Sequence, residues 1–317
     1  MKKYLLIVTL IIVLGACGTS ITTLAPSTRT PSITITSTTT ASETRTVLPG
    51  ETQILPLTPS STVSPDAWRS LPVFPLSVSQ RMMEVFKHGL GRGRDPSRLS
   101  KIGDCQNITP YFLAAFDSPS NYRLGNQYET LQSTIDHFSG SWSRKSIATH
   151  GGFNAATVMN PNWIIIPRSP ECDKGETPSA CELRFYNPSF AIISMEEAWS
   201  GDLSKYDHYL RMLVEFVLSQ DVIPIIATRA ELPDSSISIN ATVVQVAYDY
   251  QVPLWNFGAA AANLPNNGLS KDGFHLTPGT VEGNYYFDDP ARMELGWTIR
   301  NLTALQSVDA VFHGVTK

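Results

Sequence analysis

Charge is scarce in this chain. Lysine and arginine number 24 against 28 acidic residues, a net charge of −4, and the basic residues gather into no stripe. A nucleic-acid partner is therefore not expected, because phosphate binding draws on clustered Lys and Arg. Long apolar runs are also missing. Beyond the first residues no stretch is long and apolar enough to cross a bilayer. There is no internal repeat, and no metal or cofactor is expected. Cysteine is scarcest of all, with 4 in the whole chain. Each one has to be accounted for.

The first is Cys17. The chain opens "MKKYLLIVTLIIVLGACGTS", in which two lysines precede an apolar run from Tyr4 to Leu14. That is the n-region and h-region of a secretory signal, and the run is too short for a comfortable membrane span. The "LGAC" that ends it resembles a bacterial lipobox. The resemblance implies cleavage before Cys17 and a thioether-linked lipid on it, so that residues 1–17 are a lipoprotein signal peptide. The alternative is an ordinary signal peptide with Cys17 near its cut site.

Residues 18–66 change character. "TSITTLAPSTRTPSITITSTTTASETRT" is mostly Ser, Thr and Pro with isolated apolar residues. Such a composition does not bury enough apolar surface to offset its ordering entropy. It reads as a disordered tether that holds a domain off the membrane. Residues 67–317, about 250 in number, are enough for one large domain with a proper core.

Within that domain, Cys172 and Cys181 bracket the polar loop "CDKGETPSAC". In an exported protein a close pair of this kind reads as a disulfide. Cys105 then stands outside the bridge. A thiol in an oxidising compartment needs either burial or a job.

Helical and strand signals alternate along the domain. "SVSQRMMEVFKHGLGRG" places Val78, Met82, Val85 and Phe86 at helical spacing, with Ser77 and Gln80 as a capping box. "LSKIGD" predicts a short strand. "SFAIISM" and "DVIPIIAT" are continuous apolar runs, as strands buried on both faces require. Between them Tyr206, Leu210, Leu213, Val214 and Val217 share one helical face. A further helix carries Val243, Val246, Ala247 and Tyr250. "VPLWNF" predicts another strand, and a last helix falls around "PARMELGWTIRNLTALQ". Strand and helix in alternation with short connections mean parallel pairing with helices on both faces. The expected fold is an α/β sandwich with a doubly wound parallel sheet. In such sheets the site lies beyond the carboxyl ends of the strands.

Two segments carry chemistry. "LSKIGDCQNITP" ends a strand abruptly at Gly-Asp and presents Cys105. "GLSKDGFHLTPGT" sets Asp272 and His275 three apart in a glycine-flanked loop. That spacing lets a carboxylate orient the imidazole and keeps its other nitrogen available as a base. A nucleophile from the first strand would complete a Ser-His-Asp-like set, recognised by roles rather than by order. The competing reading is a surface loop whose Asp caps a turn and whose His is solvated.

"IGDCQN" and "DGFHLTPGT" resemble the first and last blocks of the SGNH (GDSL-type) hydrolases, and their order, separation and intervening α/β pattern are similar too. The resemblance implies a three-layer α/β/α, flavodoxin-like SGNH fold. It implies Cys105 as nucleophile, in a position where that family has serine, with His275 and Asp272 completing the triad. "ATHGGFNAATV" is similar to the second block, whose glycine binds the oxyanion through its N–H; Gly152, or Gly151, is the match. The third block departs from the pattern. In place of Gly-x-Asn-Asp the strand runs into Glu196, Glu197, Ala198 and Trp199. Asn154 is the candidate substitute for the missing amide. A carboxylate facing the site would repel an oxyanion, and loss of one donor costs about 100- to 1000-fold in turnover.

Two functions follow from these residues. One is an exported, lipid-anchored, monomeric hydrolase on the extracytoplasmic face of the cell membrane, acting on a small ester or an acetylated carbohydrate. The other is a degenerate relative kept as a carbohydrate- or wall-binding module, with Phe153, Trp199, Trp255 and Phe274 lining a sugar cleft.

Overall fold

The computed structural model describes residues 62–108, 110–163, 171–196, 201–233 and 238–317. Cys17, nearly all of the tether expected over 18–66, and Trp199 lie outside these residues. Among the described residues no helix is long and apolar enough to cross a membrane.

The sheet forms where the apolar runs are. β2 (Pro188–Ser194) is buried along its whole length, so both of its faces are covered. It pairs in parallel with β1 (Asp95–Gly103) on one side and β3 (Ile223–Ala227) on the other; β3 pairs in parallel with β4 (Leu254–Trp255). β1 begins four residues before the expected "LSKIGD", over Asp95–Arg98. That half-buried, polar stretch has no apolar periodicity to announce it, and the register against β2 shifts there.

The strand order is β1-β2-β3-β4, with one addition. Gly103, already paired with Ser194 of β2, also bridges in parallel to Thr149. Gly103 donates to the Ala148 carbonyl at 3.0 Å, and His150 donates to the Gly103 carbonyl at 3.2 Å. A residue already paired to β2 on one side meets Thr149 on the other. The chain therefore leaves β1, passes its outer edge at 148–150, and returns across it to β2. The order reverses at the carboxyl end of β1, which is where open α/β sheets place a crevice.

Helices cover the faces. α1 (Gln80–Gly91) and α7 (Gly296–Val315) pack together on one side. There Phe190 of β2 meets Phe86 of α1 at 5.5 Å, Phe138 at 5.4 Å and Phe312 of α7 at 6.4 Å. Phe138 closes the short α2 (Gln132–His137). α4 (Leu203–Ser219) and α5 (Asn240–Tyr250) pack on each other and on β3, and α3 (Pro178–Tyr186) on β1. The five apolar residues expected on one face of α4 are all buried.

Several local expectations shift. Ser79, not Ser77, caps α1: its hydroxyl accepts from the Met82 amide and donates to the Gln251 carbonyl at 2.8 Å. α7 begins at Gly296 and runs to Val315, later and longer than expected. A Cβ on Gly296 would lie 2.1 Å from the Gly268 carbonyl, so the helix starts where glycine lets two backbones touch. Cys172 and Cys181 are bridged, with α-carbons 5.2 Å apart. Cys181 sits on the buried face of α3, so the bridge ties a loop to a helix rather than closing a surface loop. Phe153 and Trp255 belong to the core, not to a cleft. Trp255 stacks on Phe112 at 5.8 Å and donates its indole N–H to Thr303 at 3.0 Å.

Candidate functional site

Cys105 opens a single 3-10 turn, Cys105–Asn107, directly beyond β1. Asp104 shapes that turn. One carboxylate oxygen accepts from the Gln106 amide at 3.0 Å and from the Asn107 carboxamide at 3.3 Å. The other accepts from the Glu196 amide at 2.7 Å. Asn107 also donates to the Ser194 carbonyl at 2.9 Å. The turn is thereby fastened to the end of β2. Gly103 makes this possible, because a Cβ there would fall 2.1 Å from the Asn107 carboxamide and 2.6 Å from the Ser194 carbonyl. Cys105 itself is half-buried and is not disulfide-bonded.

The loop over 268–277 carries the other two groups. The Ser270 amide donates to the His275 carbonyl at 2.7 Å, and Leu269 bridges Leu276 in antiparallel fashion. At the tip, Gly273 takes a φ of +71°. Asp272 has two jobs. Its Oδ1 accepts from the amides of Phe274 and His275, both at 3.0 Å, and its Oδ2 lies 2.7 Å from Nδ1 of His275. Led by the Phe274 amide and then the His275 ring, these donors hold the Asp272 carboxyl down at about 2. With a carboxylate on Nδ1, that nitrogen carries the proton and Nε2 is the basic one. Both side chains are exposed.

The two segments meet through Gln106. Its carboxamide donates to the Phe274 carbonyl at 3.3 Å and to Glu196 Oε2 at 2.9 Å. The residue after Cys105 therefore holds the residue before His275. Gly151 lies close to Cys105: a Cβ built on it would sit 3.9 Å from the Cys105 Cβ. Gly152, exposed with a φ of +89°, follows it. Asn154 turns its Oδ1 back on its own turn, accepting from the Ala156 and Thr157 amides at 3.0 Å each.

Glu196 does not stand at the site as a bare charge. Counting by twos along β2, Phe190, Ser194 and Glu196 fall on the α7 side. There Glu196 Oε1 meets Nη1 of Arg300 at 2.5 Å and accepts from Ser194 at 3.2 Å. Arg300 donates its other terminal nitrogen to Ser194 at 2.8 Å. Its guanidinium lies about 5 Å from the rings of Phe112, Trp255 and Phe257. Glu196 is 3% exposed and Arg300 0%. The carboxylate is neutralised inward. Asp104, beside it, is pushed above the usual carboxylate range by burial and then by the Glu196 charge; its N–H donors and Arg300 oppose this.

Neither Gln106 nor Arg300 figures among the sequence candidates. Arg300 had a legible signal, a single cation inside the apolar helix "GWTIRNLTALQ". Gln106 had none.

Beside the loop an open hollow of about 920 Å³ is lined by Asn266, Leu269, Ser270, Lys271, Asp272 and Thr277. A more apolar groove of about 930 Å³ reaches Val252 and Leu254, at the amino end of β4. Since the sheet is parallel, that groove lies at the opposite end from Cys105.

No protein-family model matches the chain, and no curated protein matches it.

Proposed function

We propose that this chain is an SGNH-type ester hydrolase, exported and tethered to the membrane by a lipid on Cys17, acting on a small ester or an acetylated glycan. The observation that carries the proposal is the joining of the Asp272–His275 pair to the Cys105 turn through Gln106 and Phe274, at the carboxyl end of β1 where the strand order reverses. The Cys172–Cys181 bridge supports an oxidising compartment.

In this mechanism Nε2 of His275 takes the Cys105 proton, and the sulfur attacks the ester carbonyl. The oxyanion is received by backbone N–H at Gly151 and Gly152. His275 returns the proton to the departing alcohol, and a thioester remains on Cys105. Water then gives its proton to His275 and attacks the thioester. The acid leaves and the thiol is restored. Asp272 holds the Nδ1 proton and balances the imidazolium throughout.

Turnover of a chromogenic acetate ester tests the reading. Turnover that disappears in Cys105→Ala and in His275→Ala is the expected result. Well-folded protein with no turnover would overturn it.

A second reading has its own support. The third block, Glu196 to Trp199, contains no asparagine, and the Asn154 Oδ1 is spent on a turn. On that basis the fold is a relic kept for binding. Cys105→Ser would then fail to restore turnover, since the missing donor alone is worth about 100- to 1000-fold.

A further inference from the structure

Gln106 carries two side-chain hydrogen bonds, one buried and one half-buried, that neither part of the triad needs for itself. It is 2% exposed. Both acceptors of its amide group are oxygens, Glu196 Oε2 and the Phe274 carbonyl, while its own Oε1 is buried with no hydrogen-bond partner among the described residues. Flipping the carboxamide would put its oxygen against a carboxylate and a carbonyl, so only one orientation is tolerable. Leaving a buried oxygen unsatisfied is a cost that a side chain serving as filler would not incur.

The other end of the arrangement is fixed. Glu196 is held through its amide by Asp104, through its carbonyl by Arg229 Nη1 at 2.5 Å, and through Oε1 by Arg300 on α7. The loop bearing His275 is rooted by the buried Leu269 and Leu276 and by the Gly296 and Trp297 amides, which donate to Thr277, but its tip, with Asp272 and His275, is exposed and is held by Asp272. A charged anchor in the core thus reaches the exposed tip of the loop, at Phe274, through the Gln106 carboxamide.

We infer that Gln106 is a positioning residue: clamped by the buried Glu196–Arg300 pair, it holds the Phe274 carbonyl and so sets His275 against Cys105. The inference builds on the triad reading proposed above. It gives a role to the departure in the third block, whose Glu196 anchors the tip of the histidine loop.

The test reads Cys105 without requiring turnover. Iodoacetamide alkylation is followed across pH 5.5–9.5 (about the range spanning a paired and an ordinary thiol) by mass spectrometry of the Cys105 peptide. Wild-type protein should show a neutral-pH arm that His275→Ala removes, a loss of about tenfold near pH 6.5. Gln106→Met keeps the length and volume but no carboxamide. Gln106→Asn keeps the carboxamide but not its reach. Each should lose the neutral-pH arm as His275→Ala does, with circular dichroism unchanged, and Gln106→Met combined with His275→Ala should lose no more. Where turnover exists, kcat should fall about 10- to 100-fold, as a displaced base predicts, with little change in KM. If His275→Ala removes the arm and both folded Gln106 variants keep it, positioning by Gln106 is overturned and the triad reading stands. If His275→Ala itself changes nothing, the triad reading fails and the inference fails with it.

Discussion

Arg300 Nη1 lies 2.5 Å from Glu196 Oε1, with both side chains shut off from solvent, and this pair joins α7 to the end of β2 directly behind the Cys105 turn. Breaking a buried pair by removing one partner strands the other charge, at about 3–5 kcal/mol. Replacing both partners with apolar residues of similar volume is far milder. Urea unfolding should therefore show Arg300→Met losing about 3–5 kcal/mol and Glu196→Met/Arg300→Met regaining most of it. A double variant no more stable than the single one would mean that the ion pair is not what the single change disrupts.

Stability should depend on pH through two buried groups of opposite sign. Burial, with help from Arg144, pushes the Lys101 ammonium from 10.5 down to about 7, while its Nζ donates to the Trp142 carbonyl at 2.7 Å. Between about 7 and 10.5 the unfolded chain holds a proton that the folded chain has released, so stability rises with pH there. Asp104 is shifted up, so the folded chain holds the extra proton, and stability falls as pH rises from 3.8 through the folded value. Melting temperature against pH should show an alkaline rise that Lys101→Met abolishes. A rise that survives this substitution would assign it elsewhere.

Reduction of the Cys172–Cys181 bridge should cost about 2–3 kcal/mol, the loop-closure value for so short a ring. Denaturant midpoints with and without reductant measure it. An unchanged midpoint would show that α3 is held by packing alone.

Asp272 is held at about 2, so it stays ionised through any practical assay range. The acid limb of an ester pH–rate profile should therefore persist in Asp272→Asn. The rate itself should drop about 100-fold or more, through loss of the charge opposite the imidazolium. An acid limb that vanishes with Asp272→Asn would assign that limb to the carboxylate.

The N-terminus should be lipidated. Mass spectrometry of protein from its native host is expected to find a diacylated or triacylated Cys17. A mature chain starting at another residue would remove the anchor.

Much of the sheet was legible because local composition dictates it. "SFAIISM" and "DVIPIIAT" have no polar face, so they can only be strands buried on both sides, and they are β2 and β3. The α4 face was legible from its period. The Asp272–His275 contact was legible as well, since three residues around a glycine suffice to make it. The Cys172–Cys181 pairing followed from a separation of 9 residues. The polar first half of β1 was not legible, because only pairing with β2 makes those residues a strand. Ser79 displaced Ser77 as the cap because the cap falls wherever the helix starts. The outer edge of β1, formed by a single bridge at Thr149, has no signature of its own. Glu196 read from sequence is a charge in the block where an amide donor was expected. Its meaning changed only when α7, about a hundred residues later in the chain, brought Arg300 against it. Local chemistry is written in neighbouring residues. Which face a carboxylate turns to, and what neutralises it there, depends on segments that meet only when the core closes, because a buried charge is tolerable only where its partner is already in place.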